Sequence, residues 1–334
     1  MCALRTISDR DTELIRDLLR EDLVSLQAAI LEKDVIAAEA AALVAGLGQP
    51  LPIEGATSQL SLVFCGGTSL SQAYGLIQRI SEDIDFKVVV PDSSGNARRR
   101  VLSDLRHQLV EQMCSAGFRL EPDSLRSRNE NAYITADFAY ESRFPAATAL
   151  RPHLKVELTA NAPKEPSLVT GMDLRPIIYR LTDQGPLQTG IQVIGLRETL
   201  VEKVLSYLRR TAQHRADLGR GEYDDYLVRH LYDVHCLVTS GEIALDTAAG
   251  LFTEILRQDA SQFGSQHVAF KASPKAILLE ELGRLNTVET EARYEARLEP
   301  MVYGDPVTFA EAVQVFTEVA TMFLGGKDPD VAAS

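Results

Sequence analysis

The segment between residues 60 and 90 constrains this chain most. Leu60-Ser61-Leu62-Val63-Phe64-Cys65 is an apolar run of strand composition, and Gly66-Gly67-Thr68 turns the chain. Ser69 to Ile80 is then expected to be helical, and Ile84 to Val90 forms a second strand stopped by Pro91. A strand that passes through a double glycine into a helix makes a natural anion site. Glycine lets the backbone approach a phosphate closely, and the first N–H groups of a helix attract negative charge. Ser69 or Thr68 is expected to cap that helix and to donate a hydroxyl to a phosphate.

Asp83 and Asp85 are two apart on the second strand. Side chains alternate along a strand, so both carboxylates share one face while Ile84 and Phe86 point to the core. Adjacent carboxylates repel unless a cation lies between them. Mg²⁺ suits hard oxygen ligands and binds through one or two carboxylates plus substrate phosphates. A solvated strand face has the same spacing; the preceding glycine turn favours the metal. A third carboxylate follows from alternation in His153-Leu154-Lys155-Val156-Glu157-Leu158-Thr159, where Lys155, Glu157 and Thr159 share a face. If this strand lies beside Asp83–Asp85, Glu157 completes a metal site. Asp137, on the strand Ala132 to Tyr140, is its rival.

The rest of the chain supplies the setting. Residues 11–47 read as helix, capped by Asp11 and Thr12, with a second helical pattern from Asp34 to Leu47; Gly48, Pro50 and Pro52 mark a loop. Residues 92–100 read as a polar, arginine-bearing loop before a helix from Leu102 to Ala116. From Leu196 onward the pattern is helical: Leu196, Leu200, Val204 and Leu208 recur every four residues, as do Leu227, Leu231, Val234 and Val238. Later helices are expected near 245–258, 274–285 and 307–324. The expected fold is therefore α/β (α+β), with a mixed-sheet lobe over 1–195 and a helical lobe over 196–334.

With 334 residues, 45% hydrophobic and 24% charged, the chain is long enough for two lobes and ordinary enough to be globular. No run of about 18 apolar residues predicts a membrane span. The first residues, Met1 to Arg5, lack the apolar core of a secretory leader. Cys2, Cys65, Cys114 and Cys236 lie far apart with no CxxC pair, which fits a reducing cytoplasm and disfavours a zinc knuckle. The net charge is −13, so nucleic acid is repelled at long range. An RNA contact needs local basic islands. Arg98, Arg99 and Arg100 form one; Arg209, Arg210, Arg215 and Arg220, opposed only by Asp217, form another, with Tyr223 and Tyr226 available to stack on bases. Loop solubility explains such islands equally well. No GxSxG and no GxxxxGK[ST] is present, so a serine hydrolase and a Walker-type NTPase are not supported.

Five segments together carry a family resemblance: Gly66 to Leu70 (GGTSL), Arg79 to Phe86 (RISEDIDF), Lys155 to Leu158 (KVEL), Leu196 to Arg210 (LRETLVEKVLSYLRR) and Arg229 to Val234 (RHLYDV). This series resembles the AbiEii/AbiGii-type toxin nucleotidyltransferases of the polymerase-β-type superfamily. Glu32-Lys33-Asp34 resembles the family's early segment, and Tyr294 with residues 299–309 its late one. The resemblance implies metal-dependent transfer of a nucleoside monophosphate from an NTP. Gly66, Gly67, Thr68 and Ser69 match the phosphate-cradling turn, Asp83 and Asp85 the metal pair, and Lys155 and Glu157 the second motif. Lys203 matches the helix lysine that holds the triphosphate, and Asp233 the fourth motif, in which His230 stands where an aspartate is expected. By spacing alone, Lys203 also reads as a surface lysine, and Arg229 and Asp233 as a simple i,i+4 pair.

The reading is thus a cytoplasmic nucleotidyltransferase toxin with a cognate antitoxin, of the phage-defence kind, using one or two Mg²⁺ ions. Its acceptor is a hydroxyl, first of all at a tRNA 3′ end. Nucleotidylation of a protein is the alternative within the same chemistry. A nucleotide-binding partner protein that has lost catalysis is the alternative outside it, favoured by His230 and disfavoured by Asp83–Asp85.

Overall fold

A computed structural model describes residues 4–47, 60–91, 95–147, 150–218, 223–263 and 267–325. Cys2, Gly48, Pro50, Pro52 and Arg220 lie outside the described residues. The chain divides into two compact units, Met1–Gly195 and Leu196–Ser334.

The first unit is built on one mixed sheet. Its strands are β1 (Ser61–Cys65), β2 (Asp83–Val89), β3 (Arg119–Leu120), β4 (Arg126–Arg128), β5 (Tyr133–Ala139), β6 (Leu154–Thr159), β7 (Thr170–Leu174) and β8 (Gln188–Val193). Their order is β3-β5-β6-β2-β1-β8-β7, with β4 also pairing to β5. β2 runs parallel to β6 and β1 parallel to β8, while β1 and β2 are antiparallel. Ile84, Phe86, Val156 and Leu158 are buried, and the Phe64 and Phe86 rings meet across strands at 5.0 Å. The alternation expected for β2 and β6 is the one observed: core residues on one side, Asp83, Asp85, Lys155 and Glu157 on the other.

Helices cover this sheet, and their limits differ from expectation at several points. α1 spans Asp9–Arg20 and is capped by Ser8, whose hydroxyl accepts from the Asp11 N–H at 3.1 Å; Asp11 and Thr12 lie inside the helix instead of capping it. α2 (Ala28–Gly46) begins earlier than Asp34. The helical turn α3 (Gly66–Thr68) runs into a π-helical turn over Ser69–Tyr74, which ends because Gly75 takes a left-handed φ of 68°; the expected helix to Ile80 stops there. α4 covers Gly95–Ser115, so Arg98, Arg99 and Arg100 stand on its first turns and not in a loop. Its opening residues are polar and exposed or half-buried, and the first buried one is Val101, which is why apolar spacing missed the start. A short α5 (Ile177–Thr182) lies between β7 and β8.

The centre of α2 is unusual. Glu32, Lys33 and Asp34 are consecutive, and all three are buried. Each fastens a different segment. Glu32 accepts from the Arg143 N–H at 2.7 Å and from the Ser142 hydroxyl. Lys33 donates to Glu82 Oε2 at 2.8 Å and to the Arg151 carbonyl at 2.7 Å. Asp34 accepts from Gln72 Nε2 at 2.8 Å and from the Ile177 N–H at 2.6 Å. Burial pushes the Lys33 pKa down and the Asp34 pKa up. Buried charges persist only when paired or hydrogen-bonded, and these are.

The second unit is helical: α6 (Leu196–Arg215), α7 (Arg229–Thr239), α8 (Leu245–Phe263), α9 (Val268–Ala272), α10 (Pro274–Leu282), α11 (Val288–Leu298) and α12 (Phe309–Gly325). Leu200, Val204 and Leu208 of α6 are buried, with ring contacts between Tyr207 and Phe316 at 5.3 Å and between Phe252 and Phe323 at 5.2 Å. Tyr294 packs on Phe309 and donates to the Val307 carbonyl at 3.0 Å, so the late segment contributes to packing.

Candidate active site

β2 lies between β1 and β6, and this register assembles the polar face. Asp83 stands opposite Lys155 and Asp85 opposite Glu157. Asp137 is one strand further out, opposite Lys155 on β5, with His153 Nε2 at 3.6 Å from its carboxylate. Glu157, not Asp137, is therefore the immediate neighbour of Asp85. On the other side Cys65 pairs with Asp85, and its thiol donates to the Asp85 carbonyl at 3.4 Å.

The glycine turn is fitted against these carboxylates. Gly66 has φ +77°, and a Cβ there would collide with the Asp85 carboxylate. A Cβ at Gly67 would lie 2.6 Å from the Ser81 hydroxyl. Both glycines are thus required by close approach, one also by its backbone. Thr68 and Ser69 differ from expectation. Neither makes a side-chain cap, and both are fully buried. Thr68 donates to the Asp83 carbonyl, tying turn to strand, and Ser69 donates back to the Gly66 carbonyl at 2.8 Å. Their hydroxyls hold the turn's shape, which leaves its backbone as the part facing a ligand.

Cations stand on Asp83 and on Glu157. Arg151 Nη1 donates to Asp83 Oδ1 at 2.5 Å, and Lys155 pairs with Glu157. Burial alone would lower the Lys155 pKa, but the Glu157 carboxylate, helped by Asp83 and Tyr133, raises it above its ordinary value. Tyr133, hydrogen-bonded to Glu157, is pushed up to about 12 by burial and by that carboxylate. Among the described residues no group of three His, Cys, Asp or Glu side chains is gathered closely enough to hold a metal. Asp83, Asp85 and Glu157 present hard oxygens at adjacent register positions, the donor type that a divalent cation takes, with Arg151 and Lys155 on two of them. Sequence reasoning missed Arg151 in this neighbourhood and saw Lys33 and Glu82 only as members of family-like segments, with no role of their own. The only signal was three consecutive charges in an otherwise apolar helix pattern.

In the second unit, Lys203 donates to Asp233 Oδ2 at 2.6 Å, with side chains 8% and 0% exposed. The surface-lysine alternative is therefore overturned. Lys203 stands on the Asp233 carboxylate, and Arg229 Nε donates to the Arg297 carbonyl at 3.1 Å. His230 Nδ1 lies 3.1 Å from the Lys203 carbonyl. A carbonyl only accepts, so Nδ1 carries the proton. Burial, reinforced by the Lys203 charge, lowers the His230 pKa to about 3. His230 is a neutral strap from α7 to the backbone of Lys203 on α6.

That strap has a pH signature. The unfolded chain takes up a proton near pH 6.5 that the folded chain refuses until about 3, so stability falls as pH drops through that window. Between pH 7 and 5 the loss from this residue is at most about 2 kcal/mol. Urea unfolding of wild type and His230→Gln at both values checks it. A smaller pH-dependent loss in the variant is expected; equal losses would contradict a neutral His230.

The arginines proposed for RNA are engaged by acids. Arg209 pairs with Asp259 at 2.8 Å, both 14% exposed, Arg210 with Asp224 at 2.7 Å, and Arg215 with Glu281 at 2.8 Å. Burial lowers the Arg209 pKa and raises that of Asp259 to about 6. Tyr223 meets the tilted His214 ring and lies under Arg293, and Tyr226 lies under Arg229 and Arg297. In the first unit Arg99 pairs with Glu130, and Arg98 Nη2 donates to the Ala160 carbonyl at 3.3 Å.

A strand-borne Asp-x-Asp beside a double-glycine turn is the arrangement that the nucleotidyltransferase resemblance implies, and comparison with known proteins agrees. The family model described as nucleotidyl transferase AbiEii toxin, type IV toxin–antitoxin system, matches residues 53–315. The chain belongs to that family and is a nucleotidyltransferase toxin. Among solved structures, its fold is similar to that of MenT4, a nucleotidyltransferase toxin from Mycobacterium tuberculosis H37Rv. The identity is 16% and the TM-score 0.55, covering 96% of this chain and 91% of that one. No curated protein matches significantly. No helix among the described residues is long and apolar enough to cross a membrane.

Proposed function

We propose that this toxin transfers a nucleoside monophosphate from an NTP to a hydroxyl of RNA, with the tRNA 3′ end as acceptor. The acceptor oxygen bonds to the α-phosphorus, the bond from that phosphorus to the α,β-bridging oxygen breaks, pyrophosphate leaves, and the hydroxyl proton passes to solvent. Asp83, Asp85 and Glu157 would hold one or two Mg²⁺ ions. Such an ion would supply positive charge toward the α-phosphate and departing pyrophosphate and would make the acceptor hydroxyl more acidic. The backbone N–H groups of the Gly66–Gly67 turn receive phosphate oxygens, with Thr68 and Ser69 keeping the turn in shape. Lys155 contributes positive charge toward the triphosphate, and Lys203, the lysine that the family resemblance assigns to it, is fixed within the second unit by Asp233 and His230. The observation that carries this reading is the parallel pairing of β2 with β6, which sets Asp85 beside Glu157 and Asp83 beside Lys155. The need for NTP and the dispersed cysteines support a cytoplasmic setting. A cognate antitoxin opposes it, and defence against phage is the physiological setting we favour.

The acceptor is tested with tRNA whose 3′ diol has been destroyed by periodate. Label from an α-labelled NTP is expected on intact tRNA and absent from oxidised tRNA. Equal labelling of both would overturn the 3′-end assignment, and label in protein alone would overturn the RNA assignment. The contribution of the arginines to RNA is read from salt dependence, whose slope flattens by about one unit for each phosphate that a variant no longer holds. Arg209 is a poor choice for reversal, because a carboxylate placed against Asp259 would repel it in a nearly buried position. Arg98, Arg99, Arg210 and Arg215 are the positions to change.

A further inference from the structure

We propose that Arg151 is the exchangeable counter-ion of Asp83: it holds that carboxylate in the metal-free protein, yields it to a divalent cation, and then engages the phosphates of the nucleotide. The inference rests on the nucleotidyl-transfer reading above and adds to it a residue that no motif marks.

Arg151 is rooted in the core. Lys33 Nζ and Glu82 Oε2 form a pair at 2.8 Å with side chains 1% and 3% exposed. Both partners also bind the main chain of Arg151: its N–H donates to Glu82 Oε2 at 2.9 Å, and its carbonyl accepts from Lys33 Nζ at 2.7 Å. Pro152 follows and further restricts the Arg151 backbone. A buried ion pair thus pins the residue at its root. The side chain beyond that root is different. Its guanidinium meets Asp83 at 2.5 Å where the two side chains are still 27% and 36% exposed. A fixed root and a long, solvent-reached stem let the head group change partner without moving the backbone.

The chemistry suits an exchange. Guanidinium is a permanent cation whose planar fork matches carboxylate and phosphate equally well. A metal that takes Asp83 competes with Arg151 for the same oxygen and is repelled by its charge. Asp83, its partner, is tied to the glycine turn through the Thr68 hydroxyl, so a displaced guanidinium stays beside the segment proposed to receive phosphate. Glu82, the residue before Asp83, turns inward to anchor Arg151, so the strand itself sets the counter-ion beside its carboxylate.

Two affinities of opposite sign test this, measured on full-length wild type, Arg151→Gln and Arg151→Lys. Mn²⁺ binding without nucleotide is followed by the loss of its free-ion electron paramagnetic resonance signal. Binding of a non-hydrolysable NTP analogue is measured with Mg²⁺ present. Arg151→Gln is expected to bind Mn²⁺ about tenfold more tightly and the analogue about tenfold more weakly, while Arg151→Lys, which keeps the charge, falls between. A merely structural arginine would move both affinities down or neither. Unchanged or weaker Mn²⁺ binding in Arg151→Gln, or unchanged analogue binding, would overturn the exchange. Wild-type Mn²⁺ binding that Asp85→Ala removes would leave the metal-site reading intact in that case. Absence of any wild-type Mn²⁺ binding would overturn both.

Discussion

Asp85→Ala is expected to reduce nucleotide transfer at least about 10³-fold, equivalent to about 4 kcal/mol of transition-state stabilisation, while the protein stays folded. Asp85 is the carboxylate between Glu157 on one strand and the glycine turn on the other side, where a Gly66 Cβ would collide with it. Its removal takes a negative charge from beside Glu157, and the urea midpoint is measured alongside so that activities are compared between folded proteins. Asp83→Ala is the less direct choice, because Asp83 also carries Arg151. Label transfer in a variant shown to be folded by circular dichroism decides the point. Full activity in folded Asp85→Ala would remove the strand carboxylates from the reaction.

The second large effect is expected at Lys203. Its ammonium and the Asp233 carboxylate form a pair at 2.6 Å in a buried setting, so Lys203→Ala strips a buried charge of that partner. Breaking such a pair costs about 3–5 kcal/mol, far more than loss of an exposed lysine. Stability and ligand binding must therefore be read separately. Lys203→Ala should show a clearly lower urea midpoint, and under conditions where it remains folded it should bind NTP more weakly. Lys203→Arg retains a cation for Asp233, so most of the stability should return, whereas a bulkier head group should still impair triphosphate binding. Wild-type stability in Lys203→Ala would contradict the buried pair, and wild-type NTP binding in both variants would free Lys203 of any role toward the triphosphate.

The elements that position the site were the most legible from sequence. β1, buried at Leu62, Val63 and Phe64, was legible as a short apolar run, and period-two alternation gave the side of β2 and β6 on which Asp83, Asp85 and Glu157 fall. β7 and β8 escaped because they bury so little: Leu174 in one, Ile191 and Val193 in the other. Alternation could not say which strand lies beside which. The choice between Glu157 and Asp137 waited on the sheet order, a long-range property. The start of α4 was hidden by its polar first turn, and the early end of the Ser69 helix by a backbone reversal at Gly75. Buried charge was the hardest to read. Glu32, Lys33, Asp34 and Lys203 have the residue types of a solvated face, and only tertiary partners reveal them as interior. The arginine island of α6 reads as positive from composition, yet Asp259, Asp224 and Glu281 come from elsewhere in the chain to meet it.

In the proposed reaction the α-phosphorus is the centre attacked. A comparison of α-labelled with γ-labelled NTP, each incubated with wild-type protein, Mg²⁺ and total tRNA, decides whether it is. Transfer of a nucleotidyl group requires covalent label on the acceptor from the α position only, with γ label released as pyrophosphate, and both signals lost in Asp85→Ala. Covalent label from the γ position, or pyrophosphate release that persists in folded Asp85→Ala, would contradict nucleotidyl transfer at this site.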